Sequence, residues 1–212
     1  MEQRDLFGNI IPSLNNVKTK SGLTKIENGE YLFYPDLFSK AESDLYLQSL
    51  KNGIDWKQES MNIYGKQVNF PRLTAWYGDN DKPYSFSGIT LAPKVWTREL
   101  LKIKDKIEPL SKVQFNSVLL NRYRSGNDSI SWHTDAEKEL GQNPVIASVN
   151  FGATRKFQLR HVETKEKIEI ELTHGSLLIM QGELQHFWKH QVPKTAKKVN
   201  ERINLTFRVI KL

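Results

Sequence analysis

Cysteine is absent from the 212-residue chain, and its absence excludes two kinds of protein. No disulfide framework can form, and no thiolate can hold a metal ion. A chain without disulfides is typical of a reducing compartment. We therefore expect a cytoplasmic protein, or a nuclear one if the source is eukaryotic.

Long apolar runs are lacking as well. No stretch approaches the roughly 18 residues that a membrane helix requires. The first ten residues, MEQRDLFGNI, lack the basic region followed by an apolar region that marks a secretory signal. We expect no membrane partner, and because nothing in the sequence indicates an oligomer, a monomer is predicted.

Positive charge, by contrast, is in excess. The chain has 31 Lys and Arg residues against 24 Asp and Glu residues, which gives a net charge of +7. This balance favours a polyanionic partner such as nucleic acid, although a generally basic protein would have the same composition. Basic residues are concentrated in 102–106, 155–161 and 189–198.

The N-terminal half is predicted to contain two helices. Residues 1–22 are polar and aperiodic, so we expect an irregular arm there. Ser39 and Glu42 have capping-box spacing, and Gly53 lies where the following helix would end. A second helix is predicted from Pro93, because apolar residues then recur at helical spacing.

From about residue 113 the hydrophobic pattern changes to the period of two that strands show. The segments VIASVNF (145–151), KIEIEL (167–172) and HGSLLIM (174–180) are separated by turn signals. Many short strands at this spacing predict a β-sandwich or jelly roll. We expect residues 23–212 to form a single domain in which an N-terminal α/β layer packs on this β core.

One short motif could be part of a metal site. On an extended segment, His133 and Asp135 point the same way, so both side chains can reach one ion. A lone His-x-Asp is more often an ordinary polar pair on the surface. A third ligand would have to come from one of the remaining histidines, which are His161, His174, His186 and His190.

A second polar pattern lies near the C-terminus. The segment RINLTFRV (202–209) alternates strictly, and its polar side chains share one face: Arg202, Asn204, Thr206 and Arg208. An edge strand with its polar face in water would look the same. Two guanidinium groups on one face can also clamp a dicarboxylate by charge-assisted hydrogen bonds. Asn121 and Tyr123 share a face of another predicted strand and add hydrogen-bond donors.

Taken in order, N-x-Y, H-x-D, a late histidine and R-x-N-x-T-x-R resemble the AlkB family of iron(II)- and 2-oxoglutarate-dependent dioxygenases. The resemblance extends from PRLTAWYGD (71–79) to TFRVI (206–210) and is closest to the subgroup that acts on double-stranded DNA. It implies an α+β fold, with a double-stranded β-helix (jelly-roll) core over about 113–210 and N-terminal helices packed against it. It also implies a nucleotide-recognition region over about 60–90.

The resemblance implies a cofactor and a co-substrate. In the family, the metal histidine follows an aromatic pair, which selects His190 as the third ligand and leaves His186 as the rival. Iron(II) would be held by His133, Asp135 and His190, and O2 and 2-oxoglutarate would be consumed. The residues that would bind 2-oxoglutarate are Asn121, Tyr123, Arg202, Asn204, Thr206 and Arg208.

The reaction that the resemblance implies is repair of DNA by oxidative demethylation of 1-methyladenine and 3-methylcytosine. Formaldehyde, succinate and CO2 would be released. Phe86 would stack on the flipped base, with His133 on its other side and Tyr84 shaping the pocket. Glu137 would lie beside the exocyclic amine of the base. Core packing for the two aromatics and a solvated charge for Glu137 are the alternatives.

Contacts with the rest of the DNA, single- or double-stranded, are also implied. Ile63 and Tyr64, with Gly65 making the turn, could form a wedge that enters the duplex, although ordinary strand packing accounts for them equally well. The basic residues predicted to contact phosphates are Arg72, Arg155, Lys194, Lys197 and Lys198.

Other functions remain open from the sequence. The same chemistry could act on RNA or on a protein side chain. A non-catalytic nucleic-acid-binding module could have this fold, but we would then expect a damaged ligand set. A zinc hydrolase could use His-x-Asp with a distant histidine, but it would not need two arginines on one strand.

Overall fold

The computed structural model describes residues 21–63, 65–79, 84–86, 89–91 and 93–211, with the backbone alone at 63, 84–86 and 89–91. The predicted N-terminal arm therefore falls almost wholly outside the described residues. Its last residue, Gly22, begins the first strand. The boundaries of the predicted single domain stay a prediction.

Antiparallel strands dominate the described part of the chain. In chain order they are β1 (Gly22–Ile26), β2 (Gly29–Tyr34), β3 (Ser60–Ile63), β4 (Lys66–Asn69), β5 (Leu73–Gly78), β6 (Tyr84–Phe86), β7 (Ile89–Leu91), β8 (Ser117–Tyr123), β9 (Ile130–His133), β10 (Ile146–Gly152), β11 (Arg155–His161), β12 (Lys167–Leu172), β13 (Ser176–Gln181), β14 (Trp188–Val192) and β15 (Arg202–Arg208). The helices are α1 (Lys40–Gly53), α2 (Arg98–Ser111), α3 (Leu184–Phe187) and a short 3-10 helix (Lys138–Leu140).

Two sheets face each other and enclose the functional residues. The larger sheet has seven strands in the order β1-β2-β13-β10-β15-β8-β5, and the smaller has four in the order β12-β11-β14-β9. Two hairpins, β3–β4 and β6–β7, form separate two-stranded sheets. This arrangement is the predicted double-stranded β-helix. Its larger sheet reaches beyond the predicted 113–210 stretch, because β1, β2 and β5 also join it.

The larger sheet is covered on both faces. One face packs with the smaller sheet around a core that includes Trp76, Leu119 and Phe157. The other packs under the helices, where Leu100 and Ile103 of α2 meet strand residues of the sheet. Because apolar side chains pack against both of its faces, this sheet forms the close-packed interior of the described residues.

β15 lies inside that sheet, hydrogen bonded to β10 on one side and β8 on the other. All seven of its residues are buried. Its apolar residues Ile203, Leu205 and Phe207 belong to the cluster beneath the helices. The strict alternation therefore turns its four polar side chains inward, toward the smaller sheet. The alternative of an edge strand with its polar face in water is wrong.

α1 confirms the predicted helix. Ser39 Oγ accepts from the backbone N–H of Glu42, and the Glu42 carboxylate accepts from the Ser39 backbone N–H at 2.9 Å, which completes the capping box. The helix ends at Gly53, as the sequence predicts.

The predicted start of α2 is wrong. The helix begins at Arg98, and the Thr97 side chain accepts from the Leu100 backbone N–H. The reason is that Lys94 hydrogen bonds through its backbone to Trp76 and Gly78 of β5, which holds the chain after Pro93 in an extended conformation.

Candidate active site

Three side chains converge in the space between the two facing sheets. His133 lies at the end of β9, Asp135 follows two residues later, and His190 lies on β14, where it pairs directly with His133 across the smaller sheet. One potential ligand atom from each residue lies within 4.8 Å of the other two. His186, the rival third ligand, is exposed on α3 and is not in this group. The structure therefore places His190, and not His186, beside His133 and Asp135.

Both histidines can present a ring nitrogen to a metal ion. Nδ1 of His133 lies 2.8 Å from the Ser131 carbonyl oxygen, which can only accept, so Nδ1 carries the proton and Nε2 is left for a metal. His190 is 3% exposed, and burial, followed by the nearby His133, lowers its pKa to about 3. A neutral imidazole has the lone pair that coordination requires.

Asp135 supplies the carboxylate. Burial alone would raise its pKa, but the Arg208 guanidinium, with the two histidines, outweighs burial and lowers the pKa to about 2. Arg208 donates through Nη2 to Asp135 Oδ1 at 2.8 Å. The backbone N–H of Asp135 donates to Gln185 Oε1 at 2.9 Å. Asp135 is therefore ionised and held from two sides.

A divalent cation fits this donor set. His190 Nε2 and Asp135 Oδ2 face each other at 3.8 Å, too far for a hydrogen bond, and both are buried acceptors when the proton of the neutral imidazole is on Nδ1. A cation between them would satisfy both. Two histidines and one carboxylate on neighbouring positions are the facial triad that suits iron(II).

A pocket leads from the triad into the barrel, and its inner end is cationic. Arg202 is 1% exposed and donates through Nη2 to Asn150 Oδ1 at 2.5 Å. Its Nε and Nη1 are buried and have no hydrogen-bond partner among the described residues. Burial is the main cause that lowers the pKa of Arg202 to about 10. Two donors on a buried cation, both without acceptors, are what an anionic ligand would complete.

The other polar residues of β15 and β8 line the same pocket. Asn204 donates to Ser148 Oγ at 2.8 Å, and Thr206 donates to Asn204 Oδ1 at 3.1 Å. The Arg202 guanidinium lies over the Tyr123 ring, with its Cζ atom 4.9 Å from the ring centroid. Asn121 is buried and accepts a hydrogen bond from Arg72. The structure thus brings together all six residues predicted for the co-substrate.

A second, more open cleft adjoins the pocket and shares His133 and Ile130 with it. The cleft has a volume of about 390 Å³ and lies between the β3–β4 hairpin and the edge strand β9. Glu137 lines it, and the buried Oε2 atom of Glu137 has no hydrogen-bond partner among the described residues. Glu137 therefore places a carboxylate beside the cleft.

The structure describes the predicted base and wedge residues only in part. Tyr84 and Phe86 lie on β6, and the sequence prediction for their side chains falls outside the described residues. Ile63 ends β3 and pairs with Lys66 of β4, and Gly65 has a positive φ of 79° in the turn between them. This hairpin has the predicted form. Tyr64 is outside the described residues.

Two of the predicted phosphate contacts are wrong. Arg155 is 3% exposed and donates to the backbone carbonyls of Ser125, Asp128 and Pro193. Arg72 is also buried, and it donates to Asn121 Oδ1. Both guanidinium groups therefore bond within the fold rather than on an outer surface. The remaining three, Lys194, Lys197 and Lys198, are exposed.

Several residues of the site were missed in the sequence. Asn150 and Ser148 hold the β15 side chains, and Gln185 holds the Asp135 backbone. The period of two in VIASVNF could have placed Ser148 and Asn150 on one face. Gln185 carries no comparable signal, because its partner is 50 residues away in the sequence.

The barrel, the facial triad and the buried cationic pocket together define a class, the non-haem metal-dependent oxygenases. In agreement, a family model described as the 2OG-Fe(II) oxygenase superfamily matches residues 30–208. The chain is 40% identical over 190 residues to the human DNA oxidative demethylase ALKBH2, covering 84% of this chain and 73% of that one. The chain belongs to the AlkB family of 2-oxoglutarate- and iron(II)-dependent dioxygenases.

A second relative is similarly close. The chain is 41% identical over 187 residues to the human alpha-ketoglutarate-dependent dioxygenase alkB homolog 3, covering 84% of this chain. It spans 65% of that relative's length, just under two-thirds.

Solved structures support the fold. The structure titled "The structure of OsALKBH1" matches with a TM-score of 0.60 at 16% identity, covering 87% of this chain and 100% of that one. A prolyl hydroxylase from Trichoplax adhaerens matches with a TM-score of 0.57 at 15% identity, covering 85% of this chain and 84% of that one. Across the described ranges, no helix has the length and apolar character needed to cross a membrane.

Proposed function

We propose that the protein repairs DNA by oxidative demethylation of 1-methyladenine and 3-methylcytosine. The observation that carries the proposal is a pair of adjoining spaces that share His133 in their walls. One is a buried cationic pocket lined by the triad of His133, Asp135 and His190, and the other is an open cleft lined by the Glu137 carboxylate. The ALKBH2 relatives are named DNA oxidative demethylases, which supports DNA as the substrate.

The inner pocket is assigned to 2-oxoglutarate. Arg202, with two buried donors that have no acceptor among the described residues, would bind the distal carboxylate. Arg208 borders both Asp135 and the pocket, so it would bind the carboxylate nearer the metal. Tyr123 and Asn121 would add donors, while Asn204 and Thr206 keep the arginine strand in place.

Iron(II), when bound, supplies the oxidative chemistry that uses O2 and 2-oxoglutarate. The residues of the chain supply binding, orientation and exclusion of water. His133 has a second task, because it forms part of the wall shared by the pocket and the cleft. A base in the cleft would therefore lie next to the metal.

The cleft is assigned to the alkylated base. The Glu137 carboxylate would accept from the exocyclic amine and would favour a cationic methylated base through charge. Tyr84 and Phe86 are proposed to stack on or shape the base, as base flipping requires flat partners. These assignments rest on the family resemblance, with Glu137 supported by its position in the cleft.

The surface contacts are proposed in two places. The hairpin residues Ile63, Tyr64 and Gly65 would enter the duplex beside the cleft. The exposed lysines Lys194, Lys197 and Lys198 would contact phosphates.

The test is a demethylation assay with iron(II), 2-oxoglutarate and ascorbate. Single- and double-stranded DNA containing 1-methyladenine or 3-methylcytosine are offered, with matched RNA beside them. We expect formaldehyde release together with loss of the methyl group from DNA. Turnover of 2-oxoglutarate without loss of methyl from any DNA would contradict the proposal and direct the chemistry to RNA or to a protein side chain. Absence of 2-oxoglutarate turnover would indicate a binding module.

A further inference from the structure

Arg72 is a buried arginine that the chemistry described so far does not use. It precedes β5, is 5% exposed, and its guanidinium lies 5.0 Å from the centroid of the Phe70 ring. Its Nε donates to Asn121 Oδ1 at 2.7 Å. Burial lowers the pKa of Arg72, with Tyr123 and Asp128 opposing that shift. A buried cation of this kind needs a reason to be retained, because its desolvation is costly.

The contact decides how the Asn121 amide is oriented. A guanidinium can only donate, so the Asn121 atom that faces Arg72 must be the oxygen. The amide is planar, and its Nδ2 group then points away from Arg72. Without such a partner, the oxygen and nitrogen of an asparagine could exchange places by a half-turn.

The orientation matters because Asn121 lines the co-substrate pocket. An Nδ2 group donates to a carboxylate, whereas an amide oxygen in the same place repels it. Asn121 pairs with Asn204 across β8 and β15, so it lies beside the arginine strand that is assigned to 2-oxoglutarate.

We propose that Arg72 is a positioning residue that locks the Asn121 amide with its donor toward the co-substrate. This inference rests on the proposed binding of 2-oxoglutarate in the inner pocket. Arg72 would thus raise co-substrate affinity without contacting the co-substrate. It also lines the cleft assigned to the base, so its effect on 2-oxoglutarate must be measured with no nucleic acid present.

The experiment measures the affinity of the full chain for 2-oxoglutarate by calorimetry, with manganese(II) in place of iron and no DNA. Arg72→Met keeps the volume and removes the donor. We expect 2-oxoglutarate to bind roughly tenfold more weakly, the loss of about one hydrogen bond to a charged group. Arg72→Lys, which keeps a donor cation, should recover part of that loss.

The matched control is Arg122→Met. Arg122 follows Asn121 on β8, but its side chain does not line the pocket. It pairs with Glu201, and its guanidinium lies 5.9 Å from the centroid of the Trp56 ring. We expect this variant to bind 2-oxoglutarate like the wild type. Equal weakening in Arg72→Met and Arg122→Met would overturn the inference, because a general loss of stability would then explain both.

A double-mutant cycle separates action through Asn121 from other effects. If Arg72 acts through Asn121, Asn121→Ala should weaken binding, and adding Arg72→Met should weaken it no further. Additive losses would contradict the inference. If Arg72→Met does not fold, Asn121→Asp decides the matter, since it keeps a partner for Arg72 but removes the donor. Wild-type affinity in Asn121→Asp would sink the idea.

Failure of the proposed function would look different. Wild-type protein that binds manganese(II) but no 2-oxoglutarate would contradict the assignment of the pocket itself. Wild-type protein that binds 2-oxoglutarate, with Arg72→Met binding it equally well, would contradict only the role of Arg72.

Discussion

The inner pocket and the outer cleft share His133 but are built in opposite ways. The pocket is lined from β8 and β15, two buried strands within the seven-stranded sheet, and most of its polar side chains are tied to one another or to Asn150 and Ser148. The cleft is lined on one side by β4, whose four residues are exposed, and on the other by the edge strand β9.

The difference matches what each space must hold. A small dianion of fixed shape is best bound by donors that are already in place, because little entropy is then lost on binding. A base on a polymer arrives with its neighbours and must be drawn out of a stack. Exposed, lightly bonded walls can adjust to it, so rigidity is concentrated around the metal and co-substrate.

The largest expected effect comes from removing the carboxylate of the triad. Asp135→Ala should abolish 2-oxoglutarate turnover, because one of three metal ligands is lost. It should also lower the free energy of unfolding of the metal-free protein by about 3 kcal/mol, since the buried Arg208 loses its ion pair with Asp135. Succinate formation and thermal unfolding measure the two effects. Normal turnover in this variant, or in His133→Ala, would contradict the site.

Replacing Arg202 and replacing Arg208 should change the stability of the empty protein in opposite directions. Arg202→Met should weaken 2-oxoglutarate binding by about 2–3 kcal/mol but stabilise the empty protein by about 1 kcal/mol, because it removes two buried donors that find no acceptor in the described part of the chain. Arg208→Met should weaken binding as well, but should destabilise the empty protein, because Asp135 is then buried alone. Thermal unfolding with and without 2-oxoglutarate checks this; stability changes of the same sign in both variants would contradict it.

Lowering the pH should destabilise the metal-free protein, because His190 becomes protonated on unfolding. Its pKa is lowered to about 3 in the folded protein, below the ordinary value of 6.5, so between those values the unfolded chain binds more protons. The free energy of unfolding should then fall with decreasing pH, by up to about 1.4 kcal/mol per pH unit from this group. Asp135, with a pKa of about 2, adds a loss of the same sign below pH 4.

Denaturant titrations of apo-protein at several pH values measure this slope. His190→Gln is the matched variant, since it fills similar space but does not titrate. Its slope between pH 6 and pH 4 should be shallower than that of the wild type. Parallel slopes would mean that His190 is not held neutral by burial.

A substitution in the outer cleft should change the KM for DNA without changing the KM for 2-oxoglutarate. Glu137→Gln keeps an acceptor but removes the charge, so the KM for DNA with a cationic methylated base should rise about tenfold, while the KM for 2-oxoglutarate stays unchanged. Kinetics with each substrate varied in turn test the separation. A comparable rise in both KM values would show that the two spaces are not independent.

The contrast also explains how much the sequence could predict. Strict alternation in 202–209 placed four polar side chains on one face, because a strand imposes that period whatever surrounds it. His133 and Asp135 followed from the same rule. The residues of the inner site could therefore be predicted from the sequence, because their side chains lie on, or next to, regular strands.

What could not be predicted depends on distant partners. Arg72 and Arg155 look like surface cations in the sequence. Their acceptors are Asn121, 49 residues away, and the Pro193 carbonyl, 38 residues away. The joining of β2 to β13 is equally long-range. The start of α2 was missed because the contact of Lys94 with β5 overrides the local helical pattern.

The smallest expected effect lies farthest from the metal, on the lysines of the β14–β15 loop. Lys194, Lys197 and Lys198 are exposed, and each should release about one counterion when DNA binds. Replacing one of them by Ser should make the negative slope of log K against log salt shallower, by about 0.9 for duplex DNA and about 0.7 for single strands. Lys102→Ser, a basic residue on the helical side, is the control and should leave the slope unchanged. Fluorescence anisotropy at several salt concentrations measures the slope, and an equal change in both variants would mean that the loop is no special contact. Affinity for 2-oxoglutarate should not move in either, because these charges act only on the polymer that the cleft must admit.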